Sequence, residues 1–319
     1  MNRKRLSAAA MICALMLALD CPVAAGGLSP CLETVDPRGA VLVTDGGGDI
    51  LVEQNKVTQY VPASTLKLLT ALAAMHHWGL SYRFRTEFYM DADRNLKIKG
   101  YGDPFLVTEA WEEIARALST NVRGFHHLIL DHSYFAPGID ISGRGESTNP
   151  YDAPPGALCA NFNTVYIDPD TKGRIADMEP QTPLSRAAGA RFQAMGLKKG
   201  RYTFSHDELE ITRHAGEVAV YFMKKEGIDM AGDIFFGPVQ PRDTLVYAHE
   251  SPFTLEEVIR RMMEFSNNFV ANQIFLGLGA HVYGSPATLE KGIRVIERYL
   301  EDELGLTDVH IVERSGLSR

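Results

Sequence analysis

The sequence predicts an α/β fold built on a buried N-terminal helix and interrupted by an inserted, β-rich module. Three observations predict it. A hairpin pattern leads directly into a strongly apolar helix near residue 63. The stretch from about 81 to 204 changes character, with short β-like runs set between turn-dense segments. From about residue 205, helical and strand patterns alternate again, as α/β proteins require.

The hairpin comes first. Ala40–Thr44 and Ile50–Val52 are β-rich, and Asp45-Gly46-Gly47-Gly48-Asp49 between them is a turn. After Pro62 a helix is expected from about Ala63 to Trp78, with Leu66, Leu69, Leu72 and Ala73 on a broad apolar face and Gly79 at its end. In the next stretch, strands are expected at Phe84–Met90, His127–Asp131 and Thr164–Ile167, and a helix near Glu109–Leu118. Pro137–Gly156 is dense in Gly, Pro, Ser, Asn and Asp and reads as a long loop, which in a compact domain usually serves function or insertion. Further on, helices are expected at Ala215–Lys225, Leu255–Phe265, Asn267–Leu278 and Ala287–Leu304, and strands at Asp233–Phe236, Thr244–Ala248 and Val309–Val312. The division expected is a signal over 1–25, a first part of the main domain over 26–84, the inserted module over 85–204, and a second part over 205–319.

The N-terminus carries export chemistry. Arg3, Lys4 and Arg5 precede an apolar run from Leu6 to Leu19, and Val23-Ala24-Ala25 supplies small residues for cleavage after Ala25. A membrane anchor is the alternative, but the run is short of the roughly 20 residues a spanning helix needs. Cys21 suggests a lipoprotein, which Asp20 before it fits poorly. No later stretch is apolar enough to span a membrane, so an exported, periplasmic or extracytoplasmic protein is expected. Cleavage removes three basic residues and one acid and moves the net charge from −8 to −10, which argues against nucleic acid as a partner. Cys13 and Cys21 leave with the signal. Cys31 and Cys159 remain, and spacing does not say whether they pair. No Cys/His group has metal spacing, and no cofactor is expected.

Ser64-Thr65-Leu66-Lys67 stands in the first turn of the expected helix. The i, i+3 spacing puts hydroxyl and amine on one face. A serine needs a neighbouring base to act as a nucleophile, and a lysine whose charge is disfavoured by burial or positive potential can be that base. A helix N-terminus adds such potential and free N–H groups for an oxyanion. Ser-x-x-Lys arises about once by chance in a chain of this length, so a surface lysine after a capping serine is the plain alternative. Ser-x-Asn occurs at Ser147-Thr148-Asn149, which has turn composition, and at Ser266-Asn267-Asn268, a polar break between two amphipathic helices. The second is the better candidate, because polar groups between buried helices must be used or hydrogen-bonded. The alternative there is Ser266 as a helix cap.

Val61-Pro-Ala-Ser-Thr-Leu-Lys-Leu-Leu-Thr-Ala-Leu-Ala-Ala resembles the active-site helix of the D-alanyl-D-alanine carboxypeptidase/endopeptidase family typified by low-molecular-mass class C penicillin-binding proteins. Gly102-Asp103-Pro104, Tyr151-Asp-Ala-Pro-Pro-Gly-Ala-Leu, Asn161-Phe-Asn-Thr-Val and Ser315-Gly-Leu-Ser-Arg are similar to that family too, in the same order. The resemblance implies a serine β-lactamase/penicillin-binding-protein-like (transpeptidase-like) fold with an inserted module. It implies Ser64 as nucleophile, Lys67 as base, Ser266 as proton relay and Asn268 as the holder of a substrate amide. Peptidoglycan stem peptides would be substrates and β-lactams inhibitors. Glu146 is the nearest candidate for an acidic residue that receives the amino group of a diamino-acid side chain. A non-turnover cell-wall scaffold and a serine β-lactamase are the rival readings.

The family's third motif, Lys-Thr-Gly or Lys-Ser-Gly, is expected beyond the Ser315 stretch, and the sequence stops at Arg319. Lys198-Lys199-Gly200 is in the wrong order, and Arg314-Ser315-Gly316 belongs to the Ser315 stretch. A fragment or an early-ended reading frame is the expectation. The 319-residue chain is therefore predicted to show little carboxypeptidase activity; labelling by a fluorescent penicillin at the rate of an intact relative would overturn this.

Overall fold

The computed structural model describes residues 35–170, 186–203 and 205–307. The signal segment, Cys31, the strand expected at Val309–Val312 and the Ser315-Gly-Leu-Ser-Arg stretch lie outside them. The chain divides into two compact units, one reaching to Tyr60 and one starting at Val61.

The first unit is the expected hairpin. β1 (Val41–Thr44) pairs antiparallel with β2 (Ile50–Gln54), with Val41 opposite Gln54. Asp45 shapes the turn: its Oδ1 accepts the N–H groups of Gly47 and Asp49 at 2.8 and 2.9 Å. Gly48 has φ +93°, a conformation that side chains oppose.

The second unit holds the remaining elements. Its strands are β3 (Arg83–Met90), β4 (Leu96–Gly100), β5 (Gly124–Phe125), β6 (Leu128–Asp131), β7 (Thr164–Ile167), β8 (Gly200–Thr203), β9 (Asp229–Met230), β10 (Ile234–Phe236) and β11 (Thr244–Thr254). Its helices are α1 (Lys67–Trp78), α2 (Thr108–Leu118), α3 (Arg186–Met195), α4 (Glu208–Lys225), α5 (Leu255–Glu264), α6 (Asn268–Tyr283) and α7 (Leu289–Asp302).

One layer is a mixed sheet in the order β10-β6-β4-β3-β11. β3 runs antiparallel to both β4 and β11, whereas β4–β6 and β6–β10 are parallel. Parallel neighbours need a crossover, and α2 and α4 lie in those two connections. Leu96, Ile98, Leu128 and Leu130 of the sheet are buried in one cluster with Trp111, Ile114, Val218 and Phe222 of the two helices. Burial of each Phe or Leu there contributes roughly 1.5–3 kcal/mol. The second layer is helical. α1, α5, α6 and α7 share a core of Ala73, Ala74, Val258, Met262, Ile274, Phe275, Val295 and Ile296. Every residue of α6 from Asn268 to Ala280 is buried, as its predominantly apolar composition favours, and Asn268, Asn272 and Gln273 are its buried polar residues.

Several elements differ from expectation for identifiable reasons. The helix expected at Ala215 starts at Glu208, because Asp207 caps it through Glu210 N at 2.9 Å. Thr212 and His214 are buried on its inner face, and these polar residues interrupt the apolar periodicity. β11 continues past Ala248 to Thr254 through Pro252, which an edge strand tolerates. β4 is an additional strand whose Lys97 is buried through ion pairs with Asp243 at 2.8 Å and Asp91 at 3.7 Å. α3 and β8 are also additional. The sheet takes β10 and β11 from beyond residue 204, so it draws on both sides of the module boundary expected there.

Gly100 ends β4 against the backbone of the Tyr151–Leu158 motif. A Cβ there would fall 2.1 Å from the Ala157 carbonyl oxygen. Gly100→Ala is therefore expected to destabilise the chain by about 1–3 kcal/mol, the usual range for overpacking. An unchanged midpoint in urea or thermal unfolding would contradict this close approach.

Candidate active site

Ser64 lies in a 3₁₀ turn, Ala63–Leu66, and α1 begins at Lys67. The helix expected from Ala63 thus opens on a tighter turn, in which residues i and i+3 eclipse. That places the Lys67 amine directly under the serine: Lys67 Nζ donates to Ser64 Oγ at 3.0 Å. Ser64 is exposed, whereas Lys67 is 1% exposed. The serine residue is open to solvent while its lysine partner is withheld from water. Ala63 has φ +48°, an unusual conformation for a residue with a side chain.

Ser266 arrives from the junction between α5 and α6. Its Oγ donates to Ser64 Oγ at 2.8 Å. The cap of α6 is not Ser266 but Asn267, whose side chain accepts Val270 N–H at 3.1 Å. Ser266 is held at φ +49° with its hydroxyl directed to Ser64. Such strain costs about 1–3 kcal/mol and persists where the surroundings over-determine it. Asn268, buried at the start of α6, lines a cavity of about 310 Å³ with Tyr151, Phe162, Phe265 and Phe269.

Four of the five expected site residues therefore converge on α1 and on the α5–α6 junction. Glu146 is exposed in the long loop, between Arg144, bonded to His206, and Ser147, bonded to Asp152. The Ser147-Thr148-Asn149 alternative is indeed a turn, with Asn149 capping the 3₁₀ turn Pro150–Asp152 through Tyr151 N.

Sequence reasoning missed Gln273 and, although it singled out the Asn161-Phe-Asn-Thr-Val motif, did not foresee that motif's backbone role. Gln273 of α6 clamps the motif loop, accepting Gly156 N–H at 3.1 Å and donating to Gly156 O at 2.9 Å. The adjacent polar pair Asn272-Gln273 within a mostly apolar helix was the available signal. Asn161, Phe162 and Asn163 are three successive residues with φ between +50° and +61°. Asn161 Oδ1 accepts Thr108 N–H at 2.9 Å and Asn163 Nδ2 donates to Pro154 O at 2.9 Å, which pins the turn.

The Gly102-Asp103-Pro104 motif is also buried. Asp103 accepts Phe105 N–H at 2.8 Å, and the Ser251 hydroxyl lies near without completing a hydrogen bond to its second oxygen. Burial pushes this carboxyl up to about 6. The Cys159 thiol donates to the Asp103 carbonyl at 3.1 Å, and burial raises it well above its ordinary value. Among the described residues, no helix is long and apolar enough to cross a membrane.

The sequence pattern of the D-Ala-D-Ala carboxypeptidase 3 (S13) family matches residues 33–195 and 201–319. The chain belongs to that family. Among its curated relatives are a D-alanyl-D-alanine carboxypeptidase of an Actinomadura species, 26% identical over 88% of this chain and 61% of the relative, and D-alanyl-D-alanine carboxypeptidase DacB of Haemophilus influenzae, 23% identical over 85% of this chain and 65% of the relative. The chain thus spans somewhat under two thirds of the length of both. The crystal structure of penicillin binding protein 4 (dacB) from Haemophilus influenzae superposes with a TM-score of 0.70 at 19% identity, covering 88% of this chain and 71% of that one. The family member described here therefore has the penicillin-binding-protein fold.

Asp103 gives this family member a pH signature. Below about pH 4 the carboxyl is protonated in folded and unfolded chains alike. Above about pH 6 it is ionised in both, and the folded chain then holds a poorly compensated buried charge. Its contribution to stability therefore falls as pH rises from about 4 to about 6, by roughly 3 kcal/mol in total. Asp103→Asn is expected to gain stability relative to the parent between urea titrations at pH 4 and pH 7. An equal difference at both pH values would refute the shift.

Proposed function

We propose that this chain carries the acylation machinery of a serine-type D-Ala-D-Ala carboxypeptidase acting on peptidoglycan stem peptides. The observation that carries the reading is the junction at Ser64, with Lys67 Nζ 3.0 Å and Ser266 Oγ 2.8 Å from its hydroxyl. Ser64 Oγ attacks the carbonyl carbon between two D-alanines, and its proton passes along the short line to an unprotonated Lys67 amine. The tetrahedral intermediate collapses by breaking the C–N bond, and Ser266 relays a proton to the departing amine. Water then hydrolyses the ester and frees Ser64. Asn268, at the wall of the adjoining cavity, holds the substrate amide, and Glu146 receives a diamino-acid side chain. Endopeptidase action on cross-links is the same chemistry with a larger leaving group.

The names of the curated relatives support this substrate class. A structure of the Haemophilus influenzae protein is described as complexed with a novel β-lactam, which supports β-lactams as acylating inhibitors. An exported, periplasmic protein follows from the same reading and from the N-terminal sequence pattern. A serine β-lactamase would need a further base to activate water for rapid deacylation. Among the described residues the Ser64 side chain hydrogen-bonds to Lys67 and Ser266 and to no carboxylate, which favours the carboxypeptidase.

Prolonged incubation with a fluorescent penicillin, followed by peptide mapping, is expected to place the adduct on Ser64. Lys67→Ala should slow its formation by roughly 10²–10⁴-fold, the usual contribution of a general base. An adduct that persists in Ser64→Ala would defeat the assignment, and a complete lack of adduct would favour the non-turnover scaffold.

A further inference from the structure

A second cavity, of about 630 Å³, shares Phe162 and Arg201 with the one lined by Asn268. Its volume is in the range of small-ligand sites. Its walls carry both signs of charge. Glu109 and Glu113 stand one turn apart on α2, both exposed, while the arginine of that helix, Arg116, pairs with Glu112 instead. Arg261 of α5 faces the same space, its guanidinium 4.6 Å from the Phe253 ring and 5.8 Å from the Phe105 ring. Its Nε is buried with no hydrogen-bond partner. Among the described residues no ion pair joins Arg261 to Glu109 or Glu113.

Opposite charges that line one cavity without neutralising each other are each open to a ligand. A simple anion would satisfy Arg261 but meet the two carboxylates, and a simple cation would meet the reverse conflict. The fourth charged side chain of the lining, Arg201, donates to Thr164 Oγ1 at 3.1 Å. A molecule with both charges, set apart by a partly apolar body, satisfies Arg261 and the two carboxylates. Arginine stacked on aromatic rings keeps its fork of donors free for a carboxylate. The cavity wall is also a built feature. The Asn161–Asn163 turn holds Phe162 edge-on both to Phe105 of this cavity and to Phe269 of the other.

We propose that this cavity is a second binding site, distinct from the Ser64 centre, for a short zwitterionic peptide. Its carboxylate meets Arg261, its ammonium meets Glu109 and Glu113, and its apolar side chains lie on Phe105, Phe162 and Phe253. The site does not depend on the acyl-transfer reading, because none of these side chains hydrogen-bonds to Ser64, Lys67 or Ser266.

Calorimetric titration of the full chain with trialanine, and with N-acetyl-trialanine amide as the uncharged control, tests it. Trialanine is expected to bind one to one and the capped peptide at least about tenfold more weakly, the value of one lost charge contact near 1.4 kcal/mol. Arg261→Gln should weaken trialanine binding by a similar factor, and Ser64→Ala should leave it unchanged. Where Arg261→Gln fails to fold, the double variant Glu109→Gln/Glu113→Gln on the exposed face of α2 decides by the same loss. The proposal is overturned if trialanine does not bind the folded chain, if the capped peptide binds equally well, or if Ser64→Ala abolishes binding.

Discussion

The antiparallel pairing of β3 with β11 is the constraint on which the site depends. These strands are the first and last of the sheet in sequence, and Glu87 stands opposite Ala248. Next to this pairing, Leu255 N–H donates to Tyr82 O at 2.8 Å and Arg83 donates to Ser251 O at 2.9 Å. The chain thus leaves the helical layer after α1 and re-enters it at α5 at nearly the same point. The hydrogen bond between Ser64 and Ser266 spans 202 residues of sequence. Loop-closure entropy over such a length is large, and the paired strands and their buried crossover helices supply what offsets it.

The helical layer fixes the remaining geometry. α1 and α6 pack in one core through Ala73, Ala74, Ile274 and Phe275, and small side chains let α1 approach closely. Because Asn267 caps α6, Ser266 is released from capping and its hydroxyl turns to Ser64. Gln273 extends the same helix's control to the Tyr151–Leu158 motif through two hydrogen bonds to Gly156. One buried helix therefore places Ser266 and Asn268 and steadies the loop whose Tyr151 borders the adjoining cavity. Among the described residues, five of the seven non-glycine residues with positive φ belong to these segments: Ala63, Asn161, Phe162, Asn163 and Ser266. Strained backbone is retained at such positions because packing on both sides leaves no relaxed alternative.

Much of this was legible in the sequence. The hairpin, the strand Thr164–Ile167 and the helices near 109–118 and 255–265 follow from local periodicity and turn residues, which act over a few positions. Ser64 and Lys67 were legible because their relation is also local, one helical turn. Where polar residues are buried in the tertiary fold, periodicity misled: His214 and Thr212 hid the first turns of α4, and Lys97, ion-paired to the distant Asp243, obscured β4. Glu146 remains a candidate from resemblance, on an exposed loop that local rules do not position.

By itself, the sequence determined the family and singled out Ser64 and Lys67 as the proposed nucleophile and base, since these rest on short motifs in a fixed order. Only the tertiary structure decided that Ser266 bonds to Ser64 rather than capping a helix, and that β10 and β11 join the sheet begun by β3. It also decided that Glu109, Glu113 and Arg261 line one cavity without pairing. Each of these depends on contacts between residues tens to hundreds of positions apart, and such contacts follow from the packing of layers rather than from any local preference of the chain.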